Sequence, residues 1–393
     1  MRILFLTYYF EPDLCAGSFR NTALFKALLD KVSKDDCIHV ITTLPNRYAS
    51  YQVDSIEHEE GDNYVIDRVK TPKHASGIVD QIISYSAYFR KCQKLIKGTK
   101  YDLVYASSSR LMTAFLGKRC AVKNKCPLYL DIRDIFVDGL KRTYKNNKLI
   151  QLPLVLILTP IEKYTFKNAN HINLVSEGFN YYFSRYPKPN YTYYTNGIDE
   201  IFLEAAKGLK EHKPTKTYTI VYAGNIGSGQ GLEQVIPEAA HKLGIDYKFL
   251  LIGDGTTKHL LLEKMGELRV QNVEVLKPVS REELIEYYKQ ADYFFFHLNK
   301  EQEHLSYVLP SKMFEYGAFD VPIIAGVRGF PRHFIETNMT NIILFEPGNV
   351  QEFVEKMKSF DYITEHRISF IEKFARSSIM AQMAEDILNY SKK

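Results

Sequence analysis

The alternation of short apolar segments with helical segments constrains the fold of this chain more than any other feature. Apolar runs such as Ile3–Thr7 and Ile38–Thr42 are followed by segments with helical patterns. The alternation starts again after residue 197 and continues to Tyr293–His297 and beyond. Short strands that alternate with helices predict parallel sheets joined by right-handed crossovers. We therefore expect an α/β fold with two doubly wound, Rossmann-like domains facing a central cleft, where ligands of such folds bind.

The region around residues 188–215 separates the two series of strands and helices. It contains Pro189, the pair Asn196-Gly197 and a Lys-rich stretch, which are typical of a connection between domains. A chain of 393 residues is also long enough for two domains. We predict one domain over residues 1–195, a second over residues 196–365, and a helical segment over residues 366–393 that packs back across the domains.

The two halves of the chain differ in charge. Residues 1–195 contain 28 Lys and Arg against 18 Asp and Glu, whereas residues 196–393 contain 23 against 28. The basic excess is concentrated in residues 68–148, with 18 basic and 5 acidic side chains. This imbalance predicts an anionic partner for the first half. We expect no nucleic-acid partner, because the sequence contains no recognised nucleic-acid-binding module.

Cysteine spacing and hydropathy indicate the cellular compartment. Five scattered cysteines without a C-x-x-C pair argue against a metal site or a disulfide framework and fit a reducing cytoplasm. The apolar segment Leu149–Ile161 is interrupted by Gln151, Pro153 and Pro160. We expect it to fall short of the ~20 apolar residues that a membrane-spanning helix needs. Basic residues beside this segment suit an interfacial helix, and the alternative is a core-facing helix with a solvated basic back.

Two glycine-rich turns follow strands at the start of the second series. The first lies in Ala223–Gly227, and the second is Gly253–Gly255, with Lys258 three residues later. Such turns present backbone N–H groups that suit a phosphate or diphosphate, and the lysine adds a point charge. The alternatives are turns that need glycine for backbone reasons alone and a solvated surface lysine.

The segment Pro310–Gly317 carries the most information about function. Pro310 opens a predicted helix whose first turn places Ser311 and Lys312 at the helix N-terminus. A lysine there opposes the helix dipole, so a bound anion explains its position better than stability does. Glu315 lies on the same face and can accept both hydroxyl hydrogens of a ribose. The alternative for Glu315 is an ion pair with Lys312 inside the helix.

Together these motifs resemble the retaining nucleotide-sugar glycosyltransferases of family 4, above all the bacterial branch that builds O-antigen, capsule and exopolysaccharide repeats. The resemblance covers nearly the whole chain and includes the segments Ala16–Ser18, Val175–Gly178 and Asn196–Asp199. It implies the GT-B architecture, with the acceptor on the N-terminal domain and the donor nucleotide on the C-terminal domain.

The resemblance also implies roles for individual residues. Glu315 would hold the ribose, while Ser311, Lys312 and the first glycine turn would hold the diphosphate. The base would meet the backbone near Pro278, and Gly17 would let the first loop approach the donor phosphate. The donor-binding residues predicted in this way are Gly17, Gly224, Asn225, Gly227, Lys258, Pro278, Val279, Pro310, Ser311, Lys312 and Glu315.

The sequence departs from the family pattern at three places. Tyr307 stands where the family often has a second Glu, eight residues before the one matching Glu315. Asn225 and Gln230 stand at or near the positions of a common Arg and Lys. The common His-Asp pair at the end of an N-domain strand is here Arg133-Asp134. Neutralisation of the leaving diphosphate would therefore depend on fewer cations.

We predict retaining glycosyl transfer without a metal or other cofactor. Fixed cations and helix N-termini can stabilise a departing diphosphate, and the metal-dependent Asp-x-Asp motif does not occur. The predicted catalytic residues are Asp131, Asp134, Lys312 and Glu315. Either aspartate would position or deprotonate the acceptor hydroxyl. The alternative for both is a polar strand end bonded to nearby backbone.

The predicted enzyme moves a hexosyl or N-acetylhexosaminyl group from a nucleotide diphosphate sugar, with UDP expected as the nucleotide. The expected acceptor is a polyprenyl-diphosphate-linked sugar of bacterial surface polysaccharide synthesis. The expected location is the cytoplasm, with peripheral binding to the inner face of the cell membrane. Two alternatives remain open, a non-catalytic glycosyltransferase-like subunit and a GT-B nucleotide-sugar 2-epimerase.

Overall fold

The chain forms two compact units in the structure, a computed structural model. The structure describes residues 1–13, 15–45, 55–72, 78–108, 110–207 and 217–391. Unit 1 comprises Met1–Asn196 and Arg376–Lys393, and unit 2 comprises Gly197–Ala375. The first division coincides with the break in the strand–helix alternation of the sequence.

Unit 1 is built on one sheet with helices between most of its strands. In the described residues the sheet has eight strands in the order β3-β4-β2-β1-β5-β6-β7-β8, all parallel except for the antiparallel pair β3–β4. The elements are β1 (Arg2–Leu6), α1 (Ala16–Leu29), β2 (Cys37–Thr43), β3 (His58–Gly61), β4 (Tyr64–Val69), α2 (Ile78–Leu95), β5 (Leu103–Ser108), α3 (Leu111–Asn124), β6 (Leu128–Ile132), α4 (Phe136–Thr143), α5 (Lys148–Phe166), β7 (His171–Leu174), α6 (Asn180–Phe183) and β8 (Asn190–Thr192).

Unit 2 repeats this architecture with a smaller sheet. Its described residues form six parallel strands in the order β11-β10-β9-β12-β13-β14. The elements are α7 (Glu200–Ala206), β9 (Tyr218–Ala223), α8 (Ile236–Leu243), β10 (Tyr247–Ile252), α9 (Lys258–Glu267), β11 (Val273–Leu276), α10 (Arg281–Lys289), β12 (Tyr293–His297), α11 (Ser311–Gly317), β13 (Ile323–Gly326), α12 (Phe330–Asn338), β14 (Ile342–Phe345), α13 (Val350–Ser359) and α14 (Ile368–Phe374). The expected α/β fold with two Rossmann-like domains is confirmed.

The central strands have continuous apolar sequences because both of their faces are buried. All five residues of β12 are buried, and Ile3 to Leu6 of β1 are fully buried. Three strands that the sequence pattern did not predict, β3, β8 and β14, all lie at sheet edges. Two of them are polar or only three residues long, and the apolar β14 is only half-buried at alternate positions. Edge strands need fewer apolar residues, which weakens their signal in the sequence.

The C-terminal segment expected over residues 366–393 is divided between the two units. Helix α14 belongs to unit 2, whereas the last helix, α15 (Arg376–Ser391), returns to unit 1 and packs against α1. The Tyr390 hydroxyl donates to Nδ1 of His171 at 2.8 Å, and the Tyr194 hydroxyl donates to the Asp386 carboxylate at 2.6 Å. These partly buried polar contacts attach α15 to the end of the unit 1 sheet.

Helix α5 corrects the expectation about the apolar segment after residue 148. The helix runs without a break from Lys148 to Phe166 and contains both Pro153 and Pro160. It is 19 residues long and contains an 18-residue window with a mean hydropathy of 1.3, so by length and composition it could cross a membrane. The prediction that this segment falls short of a spanning length was therefore wrong, because the prolines are accommodated inside one helix instead of ending it.

A buried ion pair joins α1 to β6 in the centre of unit 1. The Arg20 guanidinium donates to both oxygens of Asp131, at 2.8 and 2.9 Å, and neither side chain is exposed. Arg20 also donates to the carbonyls of Tyr194 and Thr195, and Asn173 donates to Asp131 at 2.8 Å. Burial raises the pKa of Asp131, but Arg20 and Asn173 outweigh it and hold the pKa below its usual value. The pair is therefore fully ionised and hydrogen-bonded.

We predict that Arg20→Met lowers the free energy of unfolding by about 3–5 kcal/mol, because it leaves a buried carboxylate without its cation. Urea unfolding followed by circular dichroism measures the change. The control is Lys26→Met on the same helix, whose side chain is 67% exposed beside Glu11 and should cost less than about 1 kcal/mol. The double variant Arg20→Met, Asp131→Leu should recover much of the loss. Equal stability of Arg20→Met and wild type would contradict the prediction.

Candidate functional site

The two glycine turns of unit 2 lie against each other with their backbones in contact. A Cβ atom on Gly253 would lie 1.8 Å from the carbonyl oxygen of Gly224, and one on Gly255 would lie 2.3 Å from that of Ile226. Gly224 itself has a φ of +137°, a conformation that disfavours any residue with a side chain. Glycine is therefore required here both for backbone conformation and for close approach.

Backbone hydrogen bonds hold these turns together at the carboxyl ends of β9 and β10. The N–H of Gly224 donates to Ile252 and the N–H of Ile226 donates to Asp254, both at 2.8 Å. Thr257 donates from its N–H and its hydroxyl to the carbonyl of Ile226, at 3.1 and 3.2 Å. The carboxyl ends of parallel strands are the edge where α/β sheets bind ligands.

Lys312 reaches from α11 into the space that Gly224 leaves open. A Cβ on Gly224 would lie 2.1 Å from the Lys312 ammonium nitrogen, and that nitrogen is 5.3 Å from the centre of the Tyr222 ring. Within the part of the chain that the structure describes, Lys312 makes no ion pair or hydrogen bond. Burial lowers the pKa of Lys312, and the nearby Glu315 offsets this only in part. A desolvated ammonium group beside a glycine turn is suited to bind an anion.

Glu315 lies one turn after Lys312 on α11 and is half-buried. Its Oε2 accepts a hydrogen bond from the Tyr288 hydroxyl at 3.4 Å. Tyr288 is buried among Phe202, Phe294 and Tyr316, so it fixes one side of the carboxylate. The expected alternative, an ion pair between Glu315 and Lys312, is not among the ion pairs of the described residues.

The entrance to α11 has the predicted geometry. Pro310 precedes the helix in an extended conformation, with φ of −70° and ψ of 140°, and no side chain caps the first turn. No acidic residue lies in that turn. Ser311, like Lys312, is half-buried and begins the helix. The remaining predicted base contacts follow β11, where Pro278 is exposed and Val279 is half-buried.

The two residues that replace a common Arg and Lys are bonded to each other. Nδ2 of Asn225 donates to Oε1 of Gln230 at 2.9 Å, across the first glycine turn. Gly227 lies under this amide, because a Cβ there would come within 2.5 Å of Nδ2 of Asn225. Lys258 donates to the carbonyl of Gly253 at 3.1 Å. The Lys258 ammonium group is therefore already hydrogen-bonded to the backbone, whereas that of Lys312 makes no such bond within the described residues.

His297 and Asn299 hold the first glycine turn from behind and were not predicted from the sequence. The ring of His297 is held by two backbone groups, the N–H of Gly348 donating to Nε2 at 2.9 Å and Nδ1 donating to the carbonyl of Gln230 at 2.5 Å. Asn299 donates to the carbonyl of Ser228 at 2.9 Å. A histidine that ends an otherwise apolar strand was the available signal for this role.

In unit 1, Gly17 lies at the start of α1 against the side chain of Arg133. A Cβ on Gly17 would lie 2.1 Å from a terminal nitrogen of the Arg133 guanidinium. The Nε of Arg133 is buried and has no hydrogen-bond partner in the structure. The predicted loop and the residue that departs from the family pattern are therefore neighbours.

The two candidate aspartates of unit 1 lie in very different surroundings. Asp131 is fully buried and its oxygens are occupied by Arg20 and Asn173. Asp134 is exposed to solvent. Of the two, the geometry leaves only Asp134 accessible to a substrate.

Comparison with known families identifies the larger part of unit 2. Residues 206–375 match the family model described as glycosyl transferases group 1. This segment contains both glycine turns and the Lys312 and Glu315 pair. No curated protein matches the sequence significantly.

Solved structures resemble the whole chain at low sequence identity. HepE of Anabaena, in complex with UDP and glucose, is 14% identical with a TM-score of 0.64, covering 99% of this chain and 100% of HepE. The catalytic domain of starch synthase IV from Arabidopsis thaliana, bound to ADP and acarbose, is 15% identical with a TM-score of 0.60 over 100% of both chains. The lipopolysaccharide outer core galactosyltransferase WaaB is 12% identical with a TM-score of 0.58, covering 100% of this chain and 97% of WaaB.

These likenesses show a shared fold, and the group 1 domain supports a GT-B glycosyltransferase. The prediction of this enzyme class is confirmed at that level. Retention of configuration, the family 4 branch and the individual residue roles stay predictions. Among the described residues, no group of three or more His, Cys, Asp or Glu side chains is placed to hold a metal ion.

We predict that acid destabilises the protein through His297. Burial lowers the pKa of His297 to about 4, whereas an unfolded histidine titrates near 6.5. The unfolded state therefore takes up a proton first, and the free energy of unfolding falls as pH drops from about 6.5 to 4, by roughly 3 kcal/mol.

Urea unfolding at a series of pH values measures this dependence. His297→Asn keeps an N–H donor toward Gln230 and removes the titrating ring, so its slope with pH should be shallower than that of wild type. His333→Asn, on the exposed surface of α12, is the control. An unchanged slope in His297→Asn would contradict the assignment.

Proposed function

We propose that this protein is a retaining glycosyltransferase that moves a sugar from a nucleotide diphosphate sugar to a lipid-linked sugar acceptor in bacterial surface polysaccharide synthesis. The observation that carries the proposal is the Lys312 ammonium group, which lies against the Gly224 turn and makes no ion pair within the described residues. The group 1 domain over residues 206–375 supports the reaction class. HepE, whose structure holds UDP and glucose, supports UDP as the donor nucleotide.

Lys312 and the backbone of the first glycine turn would hold the donor diphosphate. Burial lowers the pKa of the Lys312 ammonium group, and a bound diphosphate would stabilise its charged form. The same cation stabilises the negative charge that develops on the leaving UDP as the anomeric carbon becomes oxocarbenium-like. Lys258, whose ammonium group donates to the carbonyl of Gly253, would supply a second charge. Metal ions are not needed in this scheme.

Glu315 would bind the ribose of the nucleotide. Tyr288 donates to Oε2, which orients the carboxylate and leaves Oε1 to accept from the ribose hydroxyls. Pro278 and Val279 follow β11 in the same unit and would meet the base. These roles remain those that the family resemblance implies, now carried by side chains whose surroundings suit them.

Asp134 would position or deprotonate the acceptor hydroxyl. Its side chain is exposed to solvent, so an acceptor hydroxyl can reach it. Asp131 is a poor base, because its charge is already neutralised by Arg20. Asp131 instead stabilises the end of β6, the strand that precedes Asp134.

The acceptor and the location are proposed from charge. The basic excess over residues 68–148 supports a polyprenyl-diphosphate-linked acceptor and peripheral binding to the inner face of the cell membrane. WaaB, a lipopolysaccharide outer core galactosyltransferase, supports the same class of pathway. The transferred group is proposed to be a hexose or N-acetylhexosamine.

We predict that Lys312→Met and Glu315→Gln each reduce transfer from the UDP-sugar at least about a hundredfold, because each removes a charge that the transition state or the nucleotide needs. Steady-state kinetics with radiolabelled donor measures transfer, and calorimetry measures UDP binding. Lys264→Met, which removes a lysine of the same unit whose side chain is 56% exposed, should retain activity. Full activity in either site variant would overturn the assignment.

We predict retention of the anomeric configuration and no need for metal. Nuclear magnetic resonance of the early product shows its configuration, and activity should survive excess EDTA. Donor incubated alone is the control for the alternatives. Free sugar released rapidly without acceptor would indicate a 2-epimerase. UDP binding without any turnover would indicate a non-catalytic subunit. The neutral Asn225–Gln230 pair, which replaces two cations of the family pattern, would then explain the missing activity.

A further inference from the structure

One face of α5 exposes large apolar side chains along its whole length. Most of the exposed residues are separated from one another by three, four or seven positions and thus form one stripe. Their exposed fractions are 90% for Leu149, 58% for Leu152, 74% for Leu156, 61% for Ile157 and 46% for Tyr164. Both prolines of the helix are exposed as well. A contiguous apolar surface of this kind marks a contact with a partner or a membrane.

The opposite face of α5 is fixed to unit 1 by polar contacts at both ends. Near the start, Gln151 is buried and its side-chain amide donates to the carbonyl of Lys141. Near the end, the buried Glu162 accepts hydrogen bonds from the hydroxyls of Tyr182 and Tyr186. The stripe is therefore held on the surface of a folded unit and is not a loose segment.

Positive charge surrounds the stripe. Five exposed lysines lie before, beside and after it, namely Lys141, Lys145, Lys148, Lys163 and Lys167. The acidic residues between positions 136 and 170 are Asp138 and Glu162. Asp138 pairs with Arg142, and Glu162 is buried. The exposed charge around the apolar stripe is thus positive, which complements a bilayer that contains anionic lipids.

We propose that α5 binds in the plane of an anionic membrane, with its apolar stripe inserted at the interface and its lysines at the headgroups. A spanning orientation is opposed by two features. The contacts of Gln151 and Glu162 with unit 1 would have to break or enter lipid. Pro153 and Pro160 also leave the carbonyls of Leu149 and Leu156 without helical donors, and hydrocarbon cannot supply them.

This inference deepens the peripheral binding proposed above and names the surface that performs it. It does not depend on the transfer reaction, because vesicle binding and UDP binding are measured separately. A protein that binds vesicles but transfers no sugar would contradict the proposed function and leave this inference intact.

The absence of tryptophan from the sequence allows a direct test. Leu149→Trp, Leu156→Trp and Tyr164→Trp each introduce a single fluorophore at the start, middle or end of the stripe. With vesicles of phosphatidylglycerol and phosphatidylcholine, the tryptophan emission of each variant should shift to shorter wavelength. Lipids brominated near the headgroup should quench the emission of all three variants to a similar extent. The control, Ile245→Trp, lies at an 83% exposed position of unit 2 and should not respond.

The depth profile separates the two orientations. Deep quenching of Leu156→Trp with shallow quenching at Leu149→Trp and Tyr164→Trp would indicate a spanning helix and overturn the in-plane orientation. No wavelength shift at any of the three positions would overturn membrane binding altogether.

A loss-of-binding pair completes the test. Leu152→Ser combined with Leu156→Ser should weaken vesicle partitioning about tenfold or more, while Ile245→Ser should not. Binding by wild type should weaken at high salt and on phosphatidylcholine alone. A lipid-free dimer that the double variant disperses, without vesicle binding by wild type, would show that the stripe joins two copies of this chain and would overturn the proposal.

Discussion

The cost of burying a charge organises this molecule. Arg20 is buried with the Asp131 carboxylate and donates to both of its oxygens. This pair joins α1 to β6, and Arg20 also bonds to the segment that contains Tyr194 and Thr195. Lys312 is half-buried beside a turn whose glycines leave it room, and no such partner lies among the described residues. The first arrangement stabilises the fold, because the cation is already satisfied. The second leaves a cation that gains most when an anionic ligand arrives, which is why the donor diphosphate is proposed to bind there.

The glycine turns of unit 2 link the order of its strands to the geometry of the candidate site. Parallel strands β9 and β10 end side by side, so the turns that follow them meet, and only glycine permits backbones to approach this closely. His297 and Asn299 then hold the first turn through backbone carbonyls. Helix α5 is fixed in a similar way, because the polar contacts of Gln151 and Glu162 hold one face against unit 1 and leave the apolar stripe exposed on the other. In both cases a polar network fixes the geometry of a surface that is left to bind something else.

Much of the candidate site was predictable because it is local in sequence. Lys312 and Glu315 are three residues apart on one helix, and the turn at Gly224 follows a strongly apolar strand. The distinction between Asp131 and Asp134 was not predictable, because it depends on Arg20, which is 111 residues distant from Asp131. Tyr288 as the partner of Glu315, and the bond between Asn225 and Gln230, likewise depend on side chains that only folding brings together.

The sequence by itself determined the two-unit α/β architecture and the local motifs of the proposed diphosphate site. These follow from periodicity and from short motifs, whose physical effects act within one or two turns of chain. Tertiary structure alone decided which charged groups are satisfied and which remain unpaired, and that Pro153 and Pro160 lie within one continuous helix with an exposed apolar face. Such properties depend on burial, and burial is created by elements that are distant in sequence and adjacent in space.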